Sequence, residues 1–236
     1  MSTENTQEAY FAQFGEIETV KRTRFQKIVA KTMVNNASTI PHVTHQDDAD
    51  VTGLEAYRKT MTVKASPLIF LIKAVVEALK AYPQFNASLT PDGETLVLKK
   101  FCHIGIAVDG PLGLLVPVLR DADSKDIPTL AAELKEVSAL ARSKGLPMDR
   151  MQGGCFSISS LGGIGGTYFT PIINAPEVAI LGVTGIQTKP VWNGHEFAPR
   201  QMLPLSLSYD HRVINGADAA RFVRKIAAAL TQWDQA

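Results

Sequence analysis

The run from Ser66 to Tyr82 sets the first limit on what this chain can fold into. Ser66 stands where an N-cap would, Pro67 follows at the first helical position, and a dense apolar run begins at Leu68 and continues to Tyr82. A helix that is hydrophobic on every side has to be covered on every side. The spacing therefore predicts a buried central helix.

Other stretches supply its surroundings. Arg22 to Asn36 places Phe25, Ile28, Val29, Thr32 and Met33 at helical spacing, with bases between them, so it predicts an amphipathic helix. Pro41 to Val51 alternates and turns acidic, which suits a strand with one exposed side. Asp92-Gly93 reads as a turn between a short polar strand and Thr95–Leu98. Strands are expected at 101–108 and 114–119 around a 111–113 turn, and at 155–160, 178–183 and 202–209. A helix is expected from Asp126 or Ile127 to Lys144, stopped by Gly145. Residues 1–13 are polar at the start and read as a flexible arm, with residues 14–236 as one domain.

The chain has 236 residues, 45% hydrophobic and 20% charged, with a formal net charge of +1. That is enough length for a substantial core, and the near-neutral charge gives no reason to expect nucleic acid or an anionic membrane as partner. No apolar run is long enough for a membrane span. Cys102 and Cys155 sit in apolar runs, which suggests reduced, buried thiols and a cytoplasmic protein.

Chemistry concentrates near the end of the chain. Leu205-Ser-Leu-Ser-Tyr209 alternates like a half-buried strand and breaks at Asp210-His211-Arg212. A helix then resumes after Gly216, with Ala219, Phe222, Val223, Ile226 and Leu230 on one side. A histidine at a strand end can be offered to a ligand, although a surface or hydrogen-bonded imidazole there is the commoner case. Asn215 followed by Gly216 and Asp218 also reads as a helix N-cap. Gly162–Thr167 misses the spacing of the nucleotide-binding loops and is read as a tight turn. His42 and His45 point to opposite faces of a strand, so no shared metal ion is expected. What survives is His211 with a hydroxyl from Ser159 or Ser160. An imidazole can take a proton from a thiol, and a serine hydroxyl can steady the oxyanion that forms when sulfur attacks a thioester.

The segment Asp210-His-Arg-Val-Ile-Asn-Gly216 closely resembles the active-site signature of the dihydrolipoamide acyltransferases, the core components of 2-oxo acid dehydrogenase complexes. Further segments resemble the pyruvate-type branch, among them Ile104-Gly-Ile-Ala-Val-Asp109, Met151 to Gly162 and Asn174-Ala-Pro-Glu-Val-Ala-Ile-Leu-Gly182. The resemblance runs in unbroken order from about Phe14 to Leu230. It implies an α/β (α+β) chloramphenicol acetyltransferase-like two-layer fold, with a central mixed sheet and packed helices, assembled as a trimer. It implies acetyl transfer between coenzyme A and a dihydrolipoyl thiol by direct attack, with no acyl-enzyme and no metal. His211 would be the general base, Ser159 the oxyanion donor and Asn215 a polar support. The site would lie in a channel between subunits, with Ile172 and Leu181 on its coenzyme A side. The lipoyl group would come on a separate domain or chain, and other subunits of the complex would be partners.

The chain departs from the family in places. Many members carry Asp where Asn215 stands, and a neutral amide cannot offset an imidazolium charge. Relatives end in an apolar tail that builds a cubic core. This chain ends Leu230-Thr-Gln-Trp-Asp-Gln-Ala236, so a trimer that stops short of the larger core is expected. No lipoyl domain, subunit-binding domain or Ala/Pro-rich linker is seen, which fits either an excised catalytic domain or a stand-alone chain. The competing readings are an acyl-coenzyme A transferase acting on another small thiol or alcohol, and a non-catalytic core protein.

Overall fold

A computed structural model describes residues 4–110, 113–143 and 145–233. Its centre is a mixed sheet in the order β1-β10-β8-β7-β4-β5, with β9 paired to β10 and β6 to β4. The strands are β1 (His42–Asp50), β4 (Ile104–Gly110), β5 (Gly113–Leu115), β6 (Val118–Leu119), β7 (Phe156–Ser160), β8 (Ala179–Val183), β9 (Gln187–Trp192) and β10 (Phe197–Asp210). β4, β7 and β8 run parallel, while β10 is antiparallel to both β8 and β1. A separate hairpin joins β2 (Ala87–Leu89) to β3 (Leu96–Leu98).

Alternation along the strands divides the two faces of the sheet. One face carries Ile106, Ile158, Leu181 and Leu207, all in the main core with the helices. The other carries small and polar side chains in register: Gly105 beside Ser157, Ala107 beside Ser159 and then Gly182, with Ser206 and Ser208 on β10. Helix α4 (Pro67–Ala81) lies against the first face and buries nine of its fifteen residues, as its all-round hydrophobicity requires. Ser66 occupies its N-cap position, but the side chain makes no capping bond. Helix α6 (Gly216–Thr231) packs on α4 and β1, with Phe222 stacked on Phe85 at 3.9 Å between ring centres. Helix α5 (Ile127–Ser143) buries Leu130, Val137 and Ala141.

Several elements differ from the sequence reading. Residues 4–11 form helix α1 (Glu4–Phe11) where only a flexible arm is read, because eight residues without Gly or Pro can close helical turns. Tyr10, Phe11 and Phe14 remain exposed there and meet edge to face. Helix α2 (Arg24–Thr39) starts two residues later than expected, fixed by a capping box between Thr23 and Gln26. The short helix α3 (Thr52–Thr60) has no clear apolar stripe in sequence and buries only Leu54. The single strand expected at 114–119 is two, since Pro117 cannot donate to a ladder and its carbonyl instead accepts from Ile106. Residues 111–112 of the expected turn, and Lys144 at the expected end of α5, lie outside the described residues.

Cys102 and Cys155 are buried and unpaired. Among the described residues no helix is long and apolar enough to cross a membrane.

Candidate active site

The strand β10 ends at Asp210, where the chain must turn into α6, and the local chemistry fixes that turn. Asp210 is buried and accepts from three N–H groups of Arg212: the backbone N–H at 3.0 Å, Nε at 3.0 and 3.2 Å to its two oxygens, and Nη2 at 2.6 Å. These bonds push the Arg212 guanidinium still further above its ordinary pKa. Acid and base on either side of the histidine thus lock to each other and leave His211 exposed between them. Its backbone N–H is held by the Pro41 carbonyl at 3.1 Å. Asn215 caps α6, accepting the Asp218 N–H at 3.0 Å and donating to its carboxylate at 2.8 Å. The capping expected from sequence is present, and the amide keeps a second N–H and a second lone pair free.

Ser159 stands on β7, half-buried, on the small-residue face. Its strand neighbour Gly182 has no side chain because the ring of Phe169 fills that space. A Cβ at position 182 would meet Phe169 at 2.6 Å. Phe169 therefore packs over Gly182, the strand neighbour of Ser159, a placement that sequence alone did not show. Gly182→Ala is expected to displace this ring and to destabilise the fold by about 1–3 kcal/mol, the usual cost of overpacking. Thermal unfolding of the variant beside the native chain checks this.

The loop after β7 is tied down at several points. Tyr168 donates to Asp48 at 2.8 Å, Lys189 pairs with the same carboxylate at 2.7 Å, and Thr184 donates to the Thr167 carbonyl. Gly165 and Gly166 both have positive φ, which makes the 162–167 stretch a backbone turn as read from sequence.

Ser160 points the opposite way from Ser159. It lines two adjoining clefts, one of about 360 Å³ between the start of α4 and the ends of β7 and β8, the other of about 420 Å³ between the start of α4, β4 and α5. The larger cleft also carries Lys64, Lys135 and Arg142. Among the described residues, no three of His, Cys, Asp and Glu converge to hold a metal ion.

Within one chain Ser159 and His211 do not meet. Gly182 lies opposite Ser159 on one side and Ser206 on the other, and His211 is five residues beyond Ser206. At about 3.3 Å per residue and 4.8 Å per strand, the two positions are roughly 19 Å apart. Of the two residues expected on the coenzyme A side, Ile172 is 40% exposed. Leu181 requires correction. It is fully buried in the apolar core, because its place in β8 pairs it with Ile158 and Leu207 on the helix-covered face.

A model of the 2-oxoacid dehydrogenases acyltransferase (catalytic domain) family matches residues 14–236. The dihydrolipoyllysine-residue acetyltransferase component of the Haemophilus influenzae pyruvate dehydrogenase complex is 54% identical over 229 residues, 93% of this chain and 40% of that protein. The Cupriavidus necator counterpart is 56% identical over 90% of this chain and 39% of its own length. The chain thus spans about two fifths of these relatives. A structure solved to define the roles of a serine, a histidine and an asparagine in the catalytic mechanism of Azotobacter vinelandii dihydrolipoamide acetyltransferase superposes with a TM-score of 0.90. It is 54% identical and covers 94% of both chains. A chloramphenicol acetyltransferase, 15% identical with a TM-score of 0.61 over 91% of this chain and 99% of its own, shares the fold. By its length of match and its degree of identity, the chain belongs to the 2-oxoacid dehydrogenase acyltransferase family, as a catalytic domain.

Proposed function

We propose that this chain transfers an acetyl group between coenzyme A and a dihydrolipoyl thiol, as the core enzyme of a pyruvate dehydrogenase complex. One observation carries the reading. The Azotobacter enzyme was studied for a serine, a histidine 52 positions later and an asparagine four positions after that. Ser159, His211 and Asn215 repeat both spacings. The asparagine is therefore shared with a dihydrolipoamide acetyltransferase, and the absence of a carboxylate at position 215 does not argue against the chemistry.

The mechanism follows from the side chains. A free thiol is only a few per cent ionised at neutral pH, so neutral His211 removes its proton as sulfur attacks the thioester carbonyl. The oxyanion of the tetrahedral intermediate accepts a hydrogen bond from Ser159. Collapse expels the second thiol, which takes the proton back from the imidazolium. Since Ser159 and His211 of one chain are roughly 19 Å apart, the working site draws one residue from each of two subunits, in a homotrimer. Lipoyl domains and the other components of the complex would be the partners. A cytoplasmic setting fits the two unpaired cysteines.

Trp233, the one large apolar group of the final stretch, packs edge-on against Phe70 of its own chain at 5.0 Å. The particle mass in solution distinguishes a free trimer from a cubic core like that of the pyruvate dehydrogenase complex structure to which this chain is 54% identical. The function itself is tested by a steady-state assay with acetyl-, succinyl- and isobutyryl-coenzyme A against dihydrolipoamide. Acetyl is expected to be the best donor. Absence of transfer from all three would overturn the reading, and preference for another donor would replace acetyl.

A further inference from the structure

Only three buried side-chain polar atoms among the described residues lack a hydrogen-bond partner: Asn86 Oδ1, Ser157 Oγ and Glu177 Oε2. Two of them are neighbours. The Glu177 carboxyl, 4% exposed, lies beside the Ser157 hydroxyl, under Gly154 and near the Asn174 side chain. This position matters because of what the 174–178 turn touches. Ser157 is two residues before Ser159 on the same face of β7. On the other side, the Val178 carbonyl accepts the Asp210 N–H at 2.9 Å, directly before His211. The turn therefore braces both strands that carry the proposed chemistry.

We propose, on the basis of the acetyltransferase reading above, that Glu177 is a positioning residue whose protonated carboxyl donates to Ser157 and thereby holds the Ser159 strand and the His211 turn in their working geometry. The protonated carboxyl can donate to the hydroxyl oxygen, whereas the ionised carboxylate can only accept from the hydroxyl. Ionisation removes that donor and leaves a charge in a dry site. Lys99 is the charged group that acts on it. It is half-buried, its Nζ rests on the Ala87 carbonyl at 3.3 Å, and it would have to leave that carbonyl to compensate. The other groups facing the carboxyl are the Cys155 thiol, whose own pKa burial raises, and on the far side of the turn the Asp210–Arg212 pair, already engaged with each other. Burial lifts the Glu177 carboxyl to about 7, against the opposing pull of Ser157, Lys99 and Asn174. The change of state thus falls in the working pH range.

The sign follows from the proton count. The unfolded chain releases this proton near 4.5, whereas the native state keeps it to about 7. Glu177 therefore takes stability away as pH rises through that interval, and no more beyond it.

The test compares kcat–pH profiles of the intact protein and of Glu177→Gln, which keeps a donor and cannot ionise. The native enzyme is expected to lose kcat severalfold above pH 7 with little change in KM, and the variant is expected to hold its rate. Lys99→Met, which removes the compensating charge, should move the fall to higher pH. It also serves if Glu177→Gln fails to fold. Thermal unfolding from pH 4.5 to 8 gives a second readout, in which the advantage of Glu177→Gln over the native chain grows up to pH 7 and then levels. An alkaline limb unchanged in both variants overturns the proposal. A native protein with no transfer at any pH instead defeats the acetyltransferase reading, while the unfolding series still reports whether the carboxyl titrates as described.

Discussion

His211→Ala is expected to lower acetyl transfer by about a thousandfold, within the 10²–10⁴ range for loss of a general base, and to leave the fold unchanged. The side chain is exposed, and the bond holding the turn comes from the backbone N–H to Pro41, which alanine retains. The neighbouring Asp210–Arg212 fork and the Asn215 cap do not depend on the imidazole. What remains should have a characteristic pH dependence. Without a base, reaction waits for thiol that is already ionised, and a thiol of pKa about 8.5 gains close to tenfold in thiolate per pH unit below that value. The variant should therefore recover steeply with pH where the native enzyme does not. Transfer assays from pH 6 to 8.5, with circular dichroism to confirm folding, decide the matter. Undiminished activity at pH 7 would remove His211 from the mechanism.

The parts of this site that were legible in sequence share a physical reason. Residues 66–82 are apolar on all sides, so burial and helix are read together, and the structure places the helix at Pro67–Ala81. The strand–break–helix pattern around Asp210-His211-Arg212 is local, and its geometry is set by hydrogen bonds spanning two or three residues. What could not be read depends on partners distant in sequence. β8 is apolar at nearly every position, so alternation gives no clue to which face Leu181 takes. Only its register with Ile158 and Leu207 decides that. Phe169 gives no sign of its place over Gly182 until the loop is tied back by Asp48 and Thr184. The first half of β10 contains Pro199, which argues against a strand. Yet Pro199 stands opposite Pro190 in the outer β9–β10 hairpin, where neither is asked to donate to the other.

The separation of Ser159 from His211 leads to the sharpest test, because it concerns the assembly as well as the residues. Ser159→Ala removes an oxyanion donor and is expected to cost about 10²–10³ in kcat, so it and His211→Ala should each be nearly inactive when purified alone. If the site is shared, each site of a trimer takes its serine from one subunit and its histidine from the next. A mixed trimer then contains sites where an intact Ser159, from a His211→Ala chain, faces an intact His211, from a Ser159→Ala chain. With random mixing of equal amounts in a cyclic assembly, about one quarter of all sites have that composition. Co-expression of the two variants under separate affinity tags, with isolation of particles carrying both, should restore a comparable fraction of native activity. If each chain instead completed its own site, every site in the mixture would lack one group and activity would stay at the level of the parents. That outcome would leave Ser159 and His211 important individually but would exclude a shared site, and with it the account of why one fold keeps its two reacting groups at opposite ends of a sheet.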